Sequence, residues 1–169
     1  MSKKLRVLKP NEIKVKKEIK EKPSASSSLN KMTLIVDAHH HNEAFVRSTV
    51  AAFCVPLNPS IEEINDIKTA VSEAVTNCAV HGYEGRGGEI RVECVIDTAS
   101  NFVHITVSDR GIGIDNIDEA IQPLFTTKPH FERSGMGFTV MQSFMDKLEV
   151  KSEKGKGTTI ELFKSIANL

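Results

Sequence analysis

Between residues 60 and 108 the hydrophobic period changes from helical to extended, and that switch limits the chain to folds that pack helices against a sheet. From Ser60 the apolar residues Ile64, Ile67, Val71, Ala74, Val75 and Cys78 recur at spacings of three and four, one face of a helix. Ser60 followed three residues later by Glu63 is a capping-box start, and Gly82 is a stop. EIRVECVI then alternates Ile90, Val92, Cys94 and Ile96 on one face, and NFVHITVSD alternates Val103, Ile105 and Val107. These read as neighbouring antiparallel strands joined through DTASN.

The rest of the chain extends this pattern. TLIVDA reads as a first strand, and Asn42 as the cap of a helix that runs through Val55 and stops at Pro56, with Phe45, Val46, Val50 and Phe53 on its apolar face. A short helical piece is expected near Ile117–Ile121, a loop from Pro123 to Gly137, and a third long helix over about Phe138–Lys147. LEVKSE and TTIELF close the chain as a hairpin around the glycines of KGKG. The fold class expected is α+β, a two-layer sandwich with helices on one face of a mixed sheet.

Charge divides the chain in two. Residues 1–31 carry ten Lys or Arg against three Glu and end in KPSASSSLNK, so they read as a basic, disordered extension with a linker; the domain is expected over 32–169. The formal net charge is zero, so the domain itself is acidic by seven charges, and a phosphate backbone would repel it. Direct nucleic-acid binding is therefore not expected. No stretch has the apolar length of a membrane span or the form of a signal peptide, which points to the cytoplasm. Cys54, Cys78 and Cys94 sit in apolar runs without metal-ligand spacing and read as reduced core thiols.

Four places depart from simple core-and-surface patterning. Glu73, Asn77 and His81 stand at i, i+4 and i+8, in line along one helix face. A carboxylate and an amide oxygen four residues apart form an oxygen pair, of which one can bind a hard cation such as Mg²⁺ while the other orients or deprotonates a nucleophile. Asp109, Gly111 and Gly113 follow a strand directly; there a carboxylate can accept from a flat ligand such as adenine while the backbone approaches closely. Ser134, Gly135, Met136 and Gly137 open a helix, where free N–H groups suit phosphate. Gly155, Gly157, Thr158 and Thr159 read on their own as a tight hairpin. His39, His40 and His41 are adjacent, and from a regular strand three neighbours cannot face one ion, so no metal is expected there.

The order of these parts resembles the Bergerat-fold (GHKL) ATPases, in which the helical block is the N box and three glycine motifs follow. SEAVTNCAVHGY, QPLFTTKP, ERSGMGFTVMQSFMD, FVRSTVAAF and KGTTIEL look more closely like the anti-sigma F factors of spore-forming bacteria, over about residues 32–165. Residues 1–31 lie outside the pattern, whose members usually begin near the position of Met32.

The resemblance implies a protein serine kinase using ATP and Mg²⁺. Asn77 would ligate the metal and Glu73 would be the general base toward a serine of an anti-anti-sigma protein. Asp109 would accept from the adenine amine, with Gly111, Gly113 and Thr158 around the base. Gly135, Met136 and Gly137 would hold the phosphates. A lid over Ile114–Gly137 would bring Thr126, Thr127, Lys128, Arg133 and Ser134 to them, and His81 would touch phosphate or orient a neighbour. Arg47 matches a position for docking a partner. The ATP-bound homodimer, paired through the first strand and helix, would hold sigma F inactive until the anti-anti-sigma protein competes. The alternatives are a general-stress-type switch kinase with another partner, or a nucleotide-binding regulatory module without catalysis.

Overall fold

The computed structural model describes residues 28–122 and 136–167. Strand β1 (Leu29–Asp37) leads into helix α1 (Asn42–Cys54), a 3-10 turn (Val55–Leu57) and helix α2 (Ile61–Asn77), which widens into a π turn over Cys78–Gly82. A hairpin of β2 (Glu89–Asp97) and β3 (Phe102–Ser108) follows, then the short α3 (Ile117–Ala120), α4 (Gly137–Phe144) and a closing hairpin of β4 (Lys147–Glu153) and β5 (Gly157–Ser165).

The sheet runs β1-β2-β3-β5-β4, and every pairing in it is antiparallel. The expected mixed sheet is therefore corrected to an antiparallel one. The cause lies in the connections. Helices α1 and α2 form a hairpin of their own that returns the chain to the end of β1, so Asp37 pairs with Glu89 and β2 runs back along β1.

The two layers form because one face of the sheet is apolar. Ile90, Val92, Cys94 and Ile96 of β2, Val103, Ile105 and Val107 of β3, and Ile160 and Leu162 of β5 are buried against Val46, Val50 and Cys54 of α1 and Ile67, Val71, Ala74 and Val75 of α2. Intervening residues point to the opposite, polar face, where Lys151 and His104 both pair with Glu161. At the rim, buried Lys164 donates to the Asp66 carboxylate at 3.1 Å and to the Phe144 carbonyl at 2.8 Å, which ties β5 to α2 and α4.

The α2 capping box is present in both directions: the Glu63 N–H donates to Ser60 Oγ at 3.1 Å, and the Ser60 N–H to Glu63 Oε2 at 2.7 Å. Such a cap contributes about 0.5–2 kcal/mol. Other local expectations need correction. His41, not Asn42, holds the N-cap position of α1, while the Asn42 side chain donates back to the Asp37 carbonyl at 2.9 Å. Phe45 is 54% exposed because the buried stripe of α1 runs through Val46, Val50, Ala51 and Cys54. Helix α4 ends at Phe144, where Met145 turns extended and Asp146 N–H bonds the Phe163 carbonyl, so Lys147 opens β4. Strand β1 begins at Leu29, four residues before the TLIVDA run expected to form it. Leu29–Lys31 are exposed and held by backbone pairing to β2, a tie that side-chain patterning does not reveal.

Candidate functional site

The site forms where α2, α4 and the ends of β3 and β5 meet. Glu73 and Asn77, one turn apart on α2, face the first residue of α4. A Cβ built on Gly137 would lie 3.1 Å from Glu73 Oε2 and 3.3 Å and 3.4 Å from the amide nitrogen and oxygen of Asn77. Any side chain there would press on both, so glycine is what lets the start of α4 approach the oxygen pair this closely. The first N–H groups of a helix lack intrahelical partners and carry the positive end of its dipole. An amide oxygen, a carboxylate and the positive end of a helix thus share one small volume.

Past Asn77 the helix widens. Tyr83 N–H reaches back five residues to the Cys78 carbonyl at 3.2 Å, and this π turn rotates half-buried His81 off the straight line expected for Glu73, Asn77 and His81. The turn delivers Gly82 to the end of β3. Gly82 has to be small, because a Cβ there would lie 2.9 Å from the Asp109 carboxyl carbon, and a Cβ on Gly111 would lie 2.0 Å from the Gly82 carbonyl. The Ile112 N–H donates to that same carbonyl at 2.9 Å.

Asp109 is buried to 6% exposure. Its N–H donates to the Thr158 carbonyl at 2.9 Å, and its Oδ1 accepts from the Gly111 N–H at 2.8 Å. Burial pushes the Cys78 thiol well above its ordinary pKa, and the Asp109 carboxylate beside it adds to the shift. Cys78 is therefore a neutral thiol against the carboxylate.

Thr158 belongs to the same pocket through a hydroxyl chain. Ser152 Oγ lies 2.9 Å from the Gly157 carbonyl and 2.9 Å from Thr158 Oγ1, and it accepts from the Ile114 N–H at 2.8 Å. Ser152 has one hydroxyl proton, and the carbonyl can only accept it. The Thr158 hydroxyl is then the donor to Ser152, and its remaining lone pairs are free to accept. Asp109 and Thr158, joined through their backbones, thus each carry a side-chain acceptor, which suits a donor such as the exocyclic amine of adenine. Gly113, at φ +70°, passes so close to β4 that a Cβ would lie 2.1 Å from the Glu153 carbonyl.

Of the expected site residues, Glu73, Asn77 and Gly137 come together in one cluster, and Asp109, Gly111, Gly113 and Thr158 in the adjoining one. Met136 is exposed at the N-cap position of α4. Thr126, Thr127, Lys128, Arg133, Ser134 and Gly135 lie outside the described residues. Arg47 pairs with Glu43 at 3.4 Å, and Glu43 also accepts a 2.5 Å hydrogen bond from Ser72, the residue before Glu73.

Sequence reasoning missed Ser152, Cys78, Gly82 and Tyr83 as parts of the site. The Tyr83 hydroxyl donates to the Glu89 carbonyl at 2.6 Å and accepts from the Arg110 N–H at 2.9 Å, fixing the strand end that carries Asp109. Ser152 was within reach, since the closing hairpin sets it opposite Thr158.

A family model described as a histidine kinase-like ATPase domain matches residues 36–164. An anti-sigma F factor of Clostridium beijerinckii is 56% identical over 136 residues, 80% of this chain and 94% of that protein. The chain belongs to the anti-sigma F factor family. Other relatives are the anti-sigma F factors of Clostridium acetobutylicum, 54% identical over 82% of this chain and 95% of the relative, and of Geobacillus thermodenitrificans, 55% identical over 82% and 94%. A crystal structure of the RsbU and RsbW domains of Rv1364c from Mycobacterium tuberculosis superposes with a TM-score of 0.58 at 18% identity, covering 83% of this chain and 33% of that one, and shares the fold. The histidine kinase-like ATPase domain gives this anti-sigma F family member an ATP-binding site. Among the described residues no helix is long and apolar enough to cross a membrane.

Proposed function

We propose that this protein is a cytoplasmic, ATP-dependent protein serine kinase that holds a sporulation sigma F factor inactive and phosphorylates its anti-anti-sigma antagonist on serine. The observation that carries this reading is the position of Gly137 against both Glu73 and Asn77, beside the acceptor pair of Asp109 and Thr158. The two clusters suit the two ends of one nucleotide, base at Asp109 and phosphates at α4.

The residues present fit Mg²⁺, since Asn77 supplies an amide oxygen and hard divalent cations take oxygen ligands. When bound there, Mg²⁺ would neutralise phosphate charge that would otherwise repel the nucleophile. Asp109 and Thr158 fix the base, and the start of α4 orients the phosphates. Glu73 accepts the proton of the acceptor serine hydroxyl as its oxygen bonds to the γ-phosphorus and the bond to the departing ADP breaks. Such transfer needs mainly alignment and charge neutralisation, with a positioned base adding a further factor of about 10²–10⁴.

Arg47, held by Glu43 on the exposed side of α1, is the docking residue in this reading. Exposed Leu29 and Ile35 on edge strand β1 and Phe45 on α1 support a homodimer through that strand and helix. Incubation with γ-labelled ATP and the cognate anti-anti-sigma protein tests the proposal. Label recovered as phosphoserine on the acceptor is the expected result; ATP binding without any transfer overturns it.

A further inference from the structure

His39, His40 and His41 take no part in the site described above, and in a strand three such neighbours would point to alternate sides. They are not in a strand. They fill the turn between β1 and α1, and the turn gathers all three rings on one side. Ring centroids lie 4.6 Å apart for His39 and His40, 4.7 Å for His39 and His41, and 3.9 Å for His40 and His41. One ligand nitrogen from each can be chosen so that all three lie within 4.8 Å of one another.

We infer that His39, His40 and His41 form a solvent-facing three-imidazole site for a divalent transition metal ion, Zn²⁺ being the ion that best fits it. Zinc bound tetrahedrally at 2.0–2.1 Å sets its ligand nitrogens about 3.4 Å apart. The imidazoles therefore need to close by up to about 1.4 Å and to turn out of their stacked arrangement, with interplanar angles of 25°, 32° and 47°, so that their in-plane lone pairs converge; exposed side chains do this by changing rotamer. The backbone beneath them is already pinned. His39 N–H bonds the Asp37 carbonyl at 2.7 Å, and the His39 carbonyl accepts from Asn42 N–H at 2.9 Å. The His40 carbonyl accepts from Glu43 N–H at 3.3 Å, and His41 N–H bonds His39 Nδ1 at 3.3 Å.

That last bond leaves His39 Nδ1 without a proton; a metal ion would replace the N–H as its partner, or take Nε2 after a change of tautomer. Three protein nitrogens leave a fourth position for water or a partner's side chain. Imidazole donors select zinc, copper or nickel over magnesium, so the turn and Asn77 would not compete for one ion. The positive end of the α1 dipole opposes a cation here, a cost that full exposure of the three rings to water screens.

Zinc titration of the full chain in excess MgCl₂, followed by calorimetry and by the imidazole proton resonances, tests the site. The expected result is one zinc ion per chain with perturbed signals confined to His39, His40 and His41. Affinity should fall at least about tenfold in His40→Ala, the scale on which loss of metal-supporting residues acts, and further in the triple alanine variant. His104→Ala, on the polar face of the sheet, should bind like wild type. Absence of stoichiometric zinc on the wild-type chain, or retention of its affinity by the triple variant, overturns the inference.

Discussion

Ser152 and Thr158 face each other across the β4–β5 hairpin with hydroxyl oxygens 2.9 Å apart, and that contact fixes which way the Thr158 proton points. Ser152→Ala removes the acceptor for the Thr158 proton and leaves the Ile114 N–H without its partner. Lost hydrogen bonds of this kind cost about 1 kcal/mol each. ATP affinity should fall about fivefold to tenfold, corresponding to roughly 1–1.4 kcal/mol. Calorimetric titration with ATP checks it; unchanged affinity would mean that Thr158 does not contact the base.

Gly137→Ala separates site geometry from fold stability. Gly137 is the first residue of α4, where the interior preference for alanine of up to about 1 kcal/mol is largely lost, so the melting temperature should stay close to that of wild type. The added methyl would crowd the Glu73 carboxylate and the Asn77 amide at 3.1–3.4 Å. Phosphoryl transfer should drop at least about tenfold, since displacement of a reacting group by a fraction of an ångström is costly. A stable variant with full activity would remove Gly137 from the site.

Asn77→Ala should abolish the Mg²⁺ dependence of ATP binding and weaken binding in its presence, by loss of the amide oxygen proposed to hold the ion. Titrating MgCl₂ at fixed ATP reads this directly. A variant that binds Mg-ATP like wild type would show the metal assignment to be wrong.

Cys78 gives a prediction in pH. Its folded pKa is raised, so its contribution to stability is complete below the unfolded thiol pKa of about 8.5 and is lost as pH rises above it. In the unfolded chain the thiol ionises freely, while beside Asp109 it stays protonated. The melting temperature of wild type should therefore fall relative to Cys78→Ala between about pH 8 and pH 10. Parallel melting curves would contradict a buried thiol held against the carboxylate.

The parts of this molecule that could be read in advance are those whose signals are local. Ser60 and Glu63 announce the start of α2 three residues apart, the alternation through Ile90–Ile96 and Val103–Val107 announces a hairpin, and the four-residue step from Glu73 to Asn77 survives into the structure. Features that depend on distant segments were not readable. The π turn at Cys78–Gly82 has no sequence mark, and it alone brings Gly82 to Asp109. Tyr83 works through Glu89 and Arg110, and Ser152 through Ile114, contacts that arise only once the sheet has closed. Sheet direction failed for a similar reason, because it depends on the return path of the α1–α2 hairpin.

Transfer of labelled γ-phosphate by wild type and Glu73→Gln, with ATP binding measured in parallel, tests the central claim most directly. The glutamine is nearly isosteric and cannot take a proton. ATP binding should match in the two proteins while transfer to the acceptor serine falls by about 10²-fold or more in the variant. Equal transfer by Glu73→Gln would contradict the assignment of Glu73 as the base and, with it, the division of roles between the two side chains that face Gly137.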